Sequence, residues 1–355
     1  MPHGIAVPLA LCLWLNIAFA CREPAATSRL LHDHSPSPAA GPAQRVSVDP
    51  TQAFVPDSAP TPVPLNNPQD PISYRADASG TSDSTSSFQN AIKAGDLDIK
   101  AGVYKILGSV KVPDGRNIRC ESGAALVNQT TSSSWTMFRF DGNTSGSVFN
   151  CPFRGVNHNL NAKPAPQRNF QRFIWIQSIG NAGTTGNILI SGNDFNGVGG
   201  YVGAIMIYGN DSNQPPPHNV RIAYNTFEHC GYYAVQLTSG TNNKIDHNTL
   251  NDCSGFVEAD DTGQQNTGNI IESNHLTFTY GIGMKYPDCN PGCGFNGLTG
   301  GSDASGGYFD YSGNTVSNNI VDGTHPSTIL INGNNTPAQY NNNTCTGGCR
   351  INAHQ

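Results

Sequence analysis

The most regular feature of the chain is a short pattern in which alternating apolar residues lead into an asparagine and one further apolar residue. The pattern recurs over residues 187–195, 219–227, 242–250 and 268–276. The aligned asparagines are Asn193, Asn225, Asn248 and Asn274. They recur after 32, 23 and 26 residues. Repeats of this length with short alternating strands predict the coils of a parallel β-helix. The asparagines are assigned to turns, because Asn tolerates a left-handed backbone and stacked amides can hydrogen-bond along the helix.

A second alternating strand follows each asparagine unit. These strands are predicted over residues 173–177, 204–208, 234–238, 256–260 and 280–285. Because side chains alternate between the two faces of a strand, the Ile, Val, Leu and Ala positions are predicted to point inward. One outward row is then Gln177, Tyr208, Thr238, Asp260 and Lys285. The adjacent outward row is Trp175, Met206, Gln236, Glu258 and Gly283.

The N-terminal half begins with two segments that are not part of the repeat. Residues 1–20 contain an apolar stretch that is too short to span a bilayer and ends in a small-x-small motif, which predicts a secretion signal. Residues 21–79 are rich in Pro, Ala and Ser without periodicity, which predicts a disordered linker. Lipid attachment at Cys21 is the less favoured alternative. The folded domain is therefore predicted to cover residues 80–355.

The start of this domain has the pattern of a capping element. Residues 84–94 place Phe88, Ala91 and Ile92 on one face of a predicted helix, and Gly95 follows the last turn. The alternating segments 97–99 and 103–106 then predict strands. A short helix before the first strands is typical of a capped solenoid. We therefore expect an all-β solenoid with a short N-terminal capping helix.

Composition agrees with this fold class and excludes others. The 355 residues include 39 Gly and 24 Pro, and only 12% are charged, which excludes a helical bundle or coiled coil. A net charge of −6 gives no reason to expect nucleic acid or an anionic membrane surface as a partner. We expect a monomer without a membrane span.

The cysteines indicate an oxidising compartment. Apart from those in and beside the signal, eight remain: Cys120, Cys151, Cys230, Cys253, Cys289, Cys293, Cys345 and Cys349. An even number behind a secretion signal predicts disulfides. A zinc site formed by the last four is the alternative, but no His stands at ligand spacing.

Over residues 80–355 the cap helix, the strand-turn repeats and the asparagine ladder resemble the pectin-lyase-like right-handed β-helix superfamily. The resemblance implies a single-stranded right-handed parallel β-helix. Members include polysaccharide lyases, glycoside hydrolases, epimerases and phage tailspikes. Within the repeat, Cys230 and Cys253 each lie five residues after their register asparagine, so we expect them to be paired on adjacent coils. The resemblance also implies that the second strand of each coil carries the active groove.

In that groove the sequence gathers Glu258, Asp260 and Lys285, with Asp261 adjoining. Lys285 is expected on the next coil, about one strand spacing of ~5 Å from the carboxylates. An exposed ion pair between Asp260 and Lys285 is the alternative interpretation. Since the chain has few charges, we favour a functional site, with Tyr208 close by.

The Glu258-Ala-Asp260 segment, with a lysine on the next coil, is similar to polysaccharide lyase family 6, the chondroitinase B and alginate lyase group. The similarity implies that Glu258, Asp260 and Gln236 bind calcium and that Lys285 takes the place of an arginine. Where that family has its lysine base, this chain has residues 262–265, Thr-Gly-Gln-Gln. Lys285 or Tyr208 would then transfer the proton.

These residues lead to the hypothesis of a secreted lyase that cleaves an anionic, uronic-acid-containing polysaccharide by β-elimination. Substrate binding is assigned to Trp175, Gln177, Gln236, Arg168, Arg172 and Asp261. Arg168 and Arg172 belong to a basic insertion, residues 154–172, beside an outward strand. One alternative is a glycoside hydrolase that uses two of Glu258, Asp260 and Asp261 as acid and base. Another is a non-catalytic carbohydrate-binding or adhesin-like β-helix.

The cysteine pattern generates a direct prediction. All eight cysteines beyond the signal should be oxidised, and Cys230 should be linked to Cys253, because their register places them on neighbouring coils. Mass spectrometry of peptides from the non-reduced protein checks this. Recovery of Cys230 and Cys253 as free thiols would contradict the predicted register.

Overall fold

The structure is a computed structural model, which describes most of the chain from Ser58 onward. The described residues are 58–130, 134–155, 170–178, 183–198, 202–209, 215–230, 233–251, 253, 255–259, 266–278, 293–297, 314–323, 329–333, 339–346 and 350–353. The predicted signal and most of the predicted linker lie outside these ranges. Among the described residues no helix is long and apolar enough to cross a membrane.

The described strands form three long parallel sheets, to which each coil contributes one strand per sheet. Sheet I contains β2 (Leu97–Ile99), β5 (Asn117–Cys120), β8 (Gly146–Phe149), β11 (Ile188–Ser191), β14 (Arg221–Ala223), β18 (Lys244–Asp246), β22 (Ile270–Glu272), β25 (Thr315–Ser317) and β28 (Gln339–Asn341). Sheet II contains β1 (Ser79–Asp83), β3 (Gly102–Lys105), β6 (Ala124–Val127), β9 (Pro152–Arg154), β12 (Asp194–Asn196), β15 (Thr226–Glu228), β19 (Thr249–Asn251), β23 (His275–Phe278), β26 (Ile320–Gly323) and β29 (Thr344–Thr346).

Sheet III completes each coil. It contains β4 (Val110–Val112), β7 (Trp135–Asp141), β10 (Gln171–Ser178), β13 (Ile205–Gly209), β16 (Tyr233–Leu237), β20 (Gly255–Ala259), β24 (Cys293–Gly297), β27 (Ile329–Gly333) and β30 (Arg350–Ala353). A short additional pair joins β17 (Gly240–Thr241) to β21 (Asn266–Thr267). The protein is a right-handed parallel β-helix, as the sequence predicts.

Side-chain amides connect the coils at the corner between sheets I and II. The ladder consists of Asn193, Asn225, Asn248, Asn274, Asn319 and Asn343. At Asn225 the backbone N–H donates to Asn248 Oδ1 at 3.0 Å, and Nδ2 donates to the same oxygen and to the Ile190 carbonyl. Its own Oδ1 accepts from the backbone and the amide of Asn193. Each of these groups is therefore satisfied inside the protein, as buried polar groups must be.

The ladder and its amide hydrogen bonds are confirmed, but the expected left-handed backbone of the ladder asparagines is wrong. The ladder asparagines do not have positive φ; the residue before each one does. These preceding residues are Gly192, Tyr224, His247, Ser273, Asn318 and Asn342, with φ between 53° and 69°. Asparagine is needed at the ladder position for its amide, and the neighbouring residue makes the left-handed turn.

Inside the coils, aromatic rings align along the helix axis. Phe153, Phe195 and Phe227 stack on sheet II with centroid separations of 4.8 and 5.0 Å and nearly parallel planes. All three are fully buried. This continuous column makes coil-to-coil packing a major source of hydrophobic stabilisation.

The N-terminal cap agrees with its prediction. Helix α1 (Thr85–Ala94) buries Phe88, Ala91 and Ile92 completely against the first coil. Strand β2 has the predicted bounds, and β3 begins one residue earlier than expected.

Ordered structure begins earlier than the predicted boundary at Gly80. The Asn66 backbone N–H donates to Asp96 Oδ2 at 2.7 Å, and Gln69 bridges to Leu97. Residues Pro71–Tyr74 form a 3-10 helix that packs on α1. This proline-rich segment, whose composition favours a linker, forms part of the N-terminal cap.

Disulfides link neighbouring coils. The predicted Cys230–Cys253 pair is confirmed, with the Cα atoms 4.3 Å apart. Cys120 is paired with Cys151, with a Cα separation of 4.9 Å. The thiols of the remaining four cysteines lie outside what the structure describes. Two disulfides fit an extracellular location.

The ladder generates a stability prediction. Asn225→Ala should lower the free energy of unfolding by about 3 kcal/mol or more, because several buried partners lose their hydrogen bonds at ~1–3 kcal/mol each. Urea denaturation measures the change. Asn251→Ala is the control, because this half-buried amide makes only a 3.4 Å contact with Glu228 Oε1. Equal losses in the two variants would contradict the role of the ladder.

Candidate functional site

The outer face of sheet III carries the candidate site. One row in register across its strands is Lys111, Arg139, Trp175, Met206, Gln236, Glu258 and Asn296. The predicted register from Trp175 to Glu258 is therefore confirmed. Side chains in such a row are separated by one strand spacing, about 4.8 Å per coil.

The predicted pairing of a strand over residues 280–285 with the strand of Glu258 is wrong. Strand β24 is the neighbour of β20, and Asn296 lies opposite Glu258. It therefore occupies the place that the sequence assigned to Gly283 on a strand over residues 280–285. Lys285 itself lies outside the described residues, as do Arg168, Asp260 and Asp261.

A second outward row runs beside the first. It contains Asp141, Gln177 and Tyr208 in register, and Thr238 follows on the next strand. The Gln177 side chain is fully buried, and its amide oxygen accepts from Arg139 Nε and Nη2 at 2.5 Å in the orientation that satisfies both groups. Gln177, predicted to bind substrate, therefore supports Arg139.

Two arginines converge on Trp175. The Arg172 guanidinium lies 4.2 Å from the centroid of the indole ring, and that of Arg139 lies 5.3 Å away. Tyr208 packs edge-on against the same indole, with ring centroids 6.0 Å apart. These distances are those of cation–π and edge-to-face aromatic contacts. Trp175 thus holds the two cations and the tyrosine in one cluster.

The two arginines differ in their electrostatic surroundings. Arg139 forms an ion pair with Asp141 at 2.9 Å, and Lys111 approaches the same carboxylate at 3.5 Å. Arg172 is only 7% exposed and forms no ion pair among the described residues. Its burial, reinforced by the nearby charge of Arg139, lowers the pKa of Arg172 to about 10. The guanidinium therefore still carries its charge at neutral pH.

An open pocket of about 270 Å³ lies next to this cluster, between the loop before β4 and strands β7 and β10. Arg139, Arg172 and Trp175 form one wall. Leu107 and Phe170 also line it, and their side chains are exposed. The pocket thus combines cations, an aromatic ring and apolar contact surface, the mixture expected of a site for a polar ligand with apolar faces.

Glu258 and Gln236 lie further along the same row. They are neighbours on β20 and β16 and are almost completely buried, with exposures of 2% and 6%. Gln236 Oε1 accepts from the Gly203 backbone N–H at 3.4 Å. Trp175 and Glu258 are three coils apart, which corresponds to about 14 Å at ~4.8 Å per coil.

These two side chains are the described part of the predicted calcium site. Calcium binds six to eight oxygen ligands. Glu258 and Gln236 supply only a few oxygens, and within the described ranges no three His, Cys, Asp or Glu side chains converge. The third predicted ligand, Asp260, lies outside those ranges. The described residues do not by themselves fit a calcium ion.

Arg139 is a site residue that the sequence analysis missed. It is in register with Trp175, but its strand β7 precedes a corner whose ladder position is occupied by Cys151, which donates its backbone N–H to Asn193. The asparagine signal that aligned the later coils is absent there. The pairing of Cys120 with Cys151, which marks two neighbouring coils, is the signal that could have revealed this part of the repeat.

Comparison with known proteins supports the fold. No protein family and no curated protein sequence matches the chain. The surface protein and adhesin PfbA of Streptococcus pneumoniae is 16% identical with a TM-score of 0.50, over 79% of this chain and 86% of PfbA. A second PfbA crystal structure gives 14% identity and a TM-score of 0.51, over 78% and 77% of the two chains. An iota-carrageenase of family GH82 from A. fortis is 16% identical with a TM-score of 0.45, over 78% and 62%.

The unpaired charge of Arg172 generates a stability prediction. Arg172→Met should leave the melting temperature unchanged or raise it, because an apolar side chain of similar length removes a buried charge that has no counter-ion. Thermal unfolding followed by circular dichroism measures this.

Arg221→Met is the matched control. Arg221 donates to both carboxylate oxygens of buried Asp246 at 2.9 and 2.7 Å. Its loss should destabilise the protein by about 3 kcal/mol, because a buried carboxylate loses its partner. A larger loss for Arg172→Met than for Arg221→Met would show that Arg172 has a stabilising partner.

Proposed function

We propose that this protein is a secreted polysaccharide lyase that cleaves a uronic-acid-containing polysaccharide by β-elimination along the outer face of sheet III. The observation that carries the proposal is the row Trp175, Met206, Gln236 and Glu258, with Tyr208 beside it, on successive coils of one face. It combines aromatic, amide and carboxylate side chains in a line parallel to the helix axis.

The dimensions of this row suit an extended glycan. A sugar unit in an extended chain is about as long as one coil spacing of ~4.8 Å. Each coil can therefore contact roughly one sugar of a chain that lies along the axis. Buried amide and carboxylate groups recognise hydroxyls, and an aromatic edge packs against the apolar face of a sugar ring.

The chemistry of elimination assigns roles to the described residues. A cation must neutralise the uronate carboxylate, so that the adjacent carbon-bound proton becomes acidic, and a base must then remove that proton. The leaving oxygen takes up a proton as the double bond forms. Arg139 provides positive charge on this face, and we assign proton transfer to the Tyr208 hydroxyl. Glu258 and Gln236 would hold the neighbouring sugars.

The finer relationship to the pectin-lyase-like superfamily belongs to the same proposal. Its support is the combination of parallel sheets, cap helix and asparagine ladder. The similarity to polysaccharide lyase family 6 retains Glu258 and Gln236 as neighbours, whereas the strand beside Glu258 is β24 and not the predicted strand over residues 280–285 that would carry Lys285. A calcium requirement remains a prediction, which chelation followed by recovery with calcium would test.

A product assay tests the proposed activity. Purified protein is incubated with a panel of uronate, sulfated and neutral polysaccharides, and both ultraviolet absorbance and reducing ends are recorded. A lyase generates both signals, because each cleavage leaves an unsaturated sugar. Reducing ends without absorbance would identify a hydrolase. Binding without either signal would favour the adhesin-like alternative.

The proton-transfer assignment predicts the effect of one substitution. Tyr208→Phe should lower kcat by about 100-fold or more with little change in KM, because it removes only the hydroxyl that moves the proton. Steady-state kinetics on the best substrate measures this. Tyr74→Phe removes a hydroxyl that donates to Gln69 in the cap, and serves as the control. Normal turnover in Tyr208→Phe would move the reaction to another group.

The length of the row predicts a dependence on chain length. Because Trp175 and Glu258 are about 14 Å apart, kcat/KM should rise steeply from disaccharides to about tetrasaccharides and then level off. Initial rates on size-fractionated oligosaccharides measure this. Disaccharides that are cleaved as efficiently as hexasaccharides would contradict a substrate that spans the row.

A further inference from the structure

Arg172 presents an unusual electrostatic situation. Its side chain is more than nine-tenths buried, with an exposure of only 7%. Its polar contact among the described residues is a 3.0 Å approach of Nη1 to Met206 Sδ, and its Nε has no hydrogen-bond partner there. A thioether sulfur is a weak acceptor. Buried guanidinium groups are normally paired with an anion, because an unpaired buried charge is destabilising.

Among the residues that the structure describes, the groups around Arg172 do not provide that anion. Trp175 offers the face of its ring, which attracts a cation but carries no negative charge. Arg139, which contacts the same indole ring, is also a cation, and the carboxylate of Asp141 is shared between Arg139 and Lys111. In the second outward row, the amide oxygen of Gln177 accepts from Arg139. One positive charge on this wall is therefore left over.

The pocket beside Arg172 has room and hydrogen-bonding groups for an anion. Its volume is about 270 Å³, and hydroxyl-bearing Ser109, Ser134 and Thr136 line it together with the arginines. The indole Nε1 of Trp175 is a further buried donor without a hydrogen-bond partner in the described part of the chain. Donors thus outnumber charged acceptors around the pocket.

We infer that this pocket is a recognition site for one negatively charged substituent of a sugar, a carboxylate or a sulfate, with Arg172 as the residue that selects it. The inference rests on the proposed function for the identity of the ligand as a glycan. A planar guanidinium can donate two parallel hydrogen bonds to either anion. Leu107 and Phe170 would contact the apolar face of the same sugar.

The pocket that would recognise the anionic substituent is separate from the end of the outer row that carries Glu258. The pocket lies on β7 and β10, whereas Glu258 lies on β20. An anionic sugar held there would fix the register of a glycan that extends toward the C-terminal coils. Arg172 therefore determines specificity for the whole bound glycan and not only for one sugar.

Isothermal titration calorimetry with three tetrasaccharides tests the inference. The probes are tetragalacturonate with carboxylates, neocarratetraose sulfate with sulfates, and uncharged cellotetraose. The protein should bind one anionic probe about tenfold or more tightly than cellotetraose, and Arg172→Gln should abolish this preference. Arg172→Lys should recover part of it, since the charge is retained but the bidentate geometry is lost. Whichever anionic probe is preferred identifies the substituent.

Two further variants serve as controls for misfolding and for non-specific effects of charge. Ser109→Trp fills the pocket from an exposed position and should also abolish the preference, with an unchanged melting temperature. Arg119→Gln removes an arginine of sheet I that pairs with Asp98, and should leave binding unchanged. Probes cleaved during titration are examined in the Tyr208→Phe background.

The result is independent of catalysis. Arg172-dependent binding without cleavage would support the pocket and overturn the proposed lyase activity. Cleavage with a preference for anions that survives both Arg172→Gln and Ser109→Trp would overturn the pocket and leave the activity in place. Failure of the protein to bind any of the three probes, or equal binding of all three, would also overturn the inference.

Discussion

The structure depends on the hydrogen bonds that each ladder asparagine makes to the coils on either side. A parallel β-helix bends its chain at every corner, and each bend removes backbone groups from the sheets. The amide of Asn248, for example, donates to the Ile222 carbonyl and to Asn274 Oδ1, both at about the length of an ordinary backbone hydrogen bond. With the corner satisfied in this way, the aromatic column inside and the row of side chains on the outer face of sheet III can keep a constant spacing.

Much of the fold could be predicted because its signals are local. Alternation and a recurring asparagine identify a coil without knowledge of any distant contact. Two predictions were wrong because the features concerned are not set by local sequence. Residues 66–79 have the composition of a linker, but contacts with Asp96 and Leu97, distant in sequence, give them structure. The left-handed position is occupied by residues as different as Tyr224 and Ser273, so residue type did not reveal it.

The residues of the candidate site could be predicted in the coils that contain a ladder asparagine. Met206, Gln236 and Glu258 could be aligned because their strands come soon after Asn193, Asn225 and Asn248. The placement of Lys285 failed because the ladder asparagines around it, Asn274 and Asn319, are 45 residues apart, and the strand within that interval could be aligned in more than one way. Arg172 was expected to bind substrate as part of a basic loop. Its burial and lack of an ion pair depend on the packing of Trp175 and Met206, which no sequence pattern reports.

The unequal length of the coils has an evolutionary consequence. The segment that contains each sheet I strand has a constant length. Asn243 precedes strand β18 and Asn248 follows it five residues later, and Asn269 and Asn274 flank β22 with the same spacing. These asparagines hydrogen-bond to their counterparts on the next coil. The variation from 23 to 45 residues between ladder positions therefore falls in segments on either side of the strands of sheet III. Insertions there leave the amide ladder intact, since added loop residues have a small entropic effect. Insertions there can thus remodel the surroundings of sheet III, and with them the proposed glycan specificity, without disturbing the scaffold.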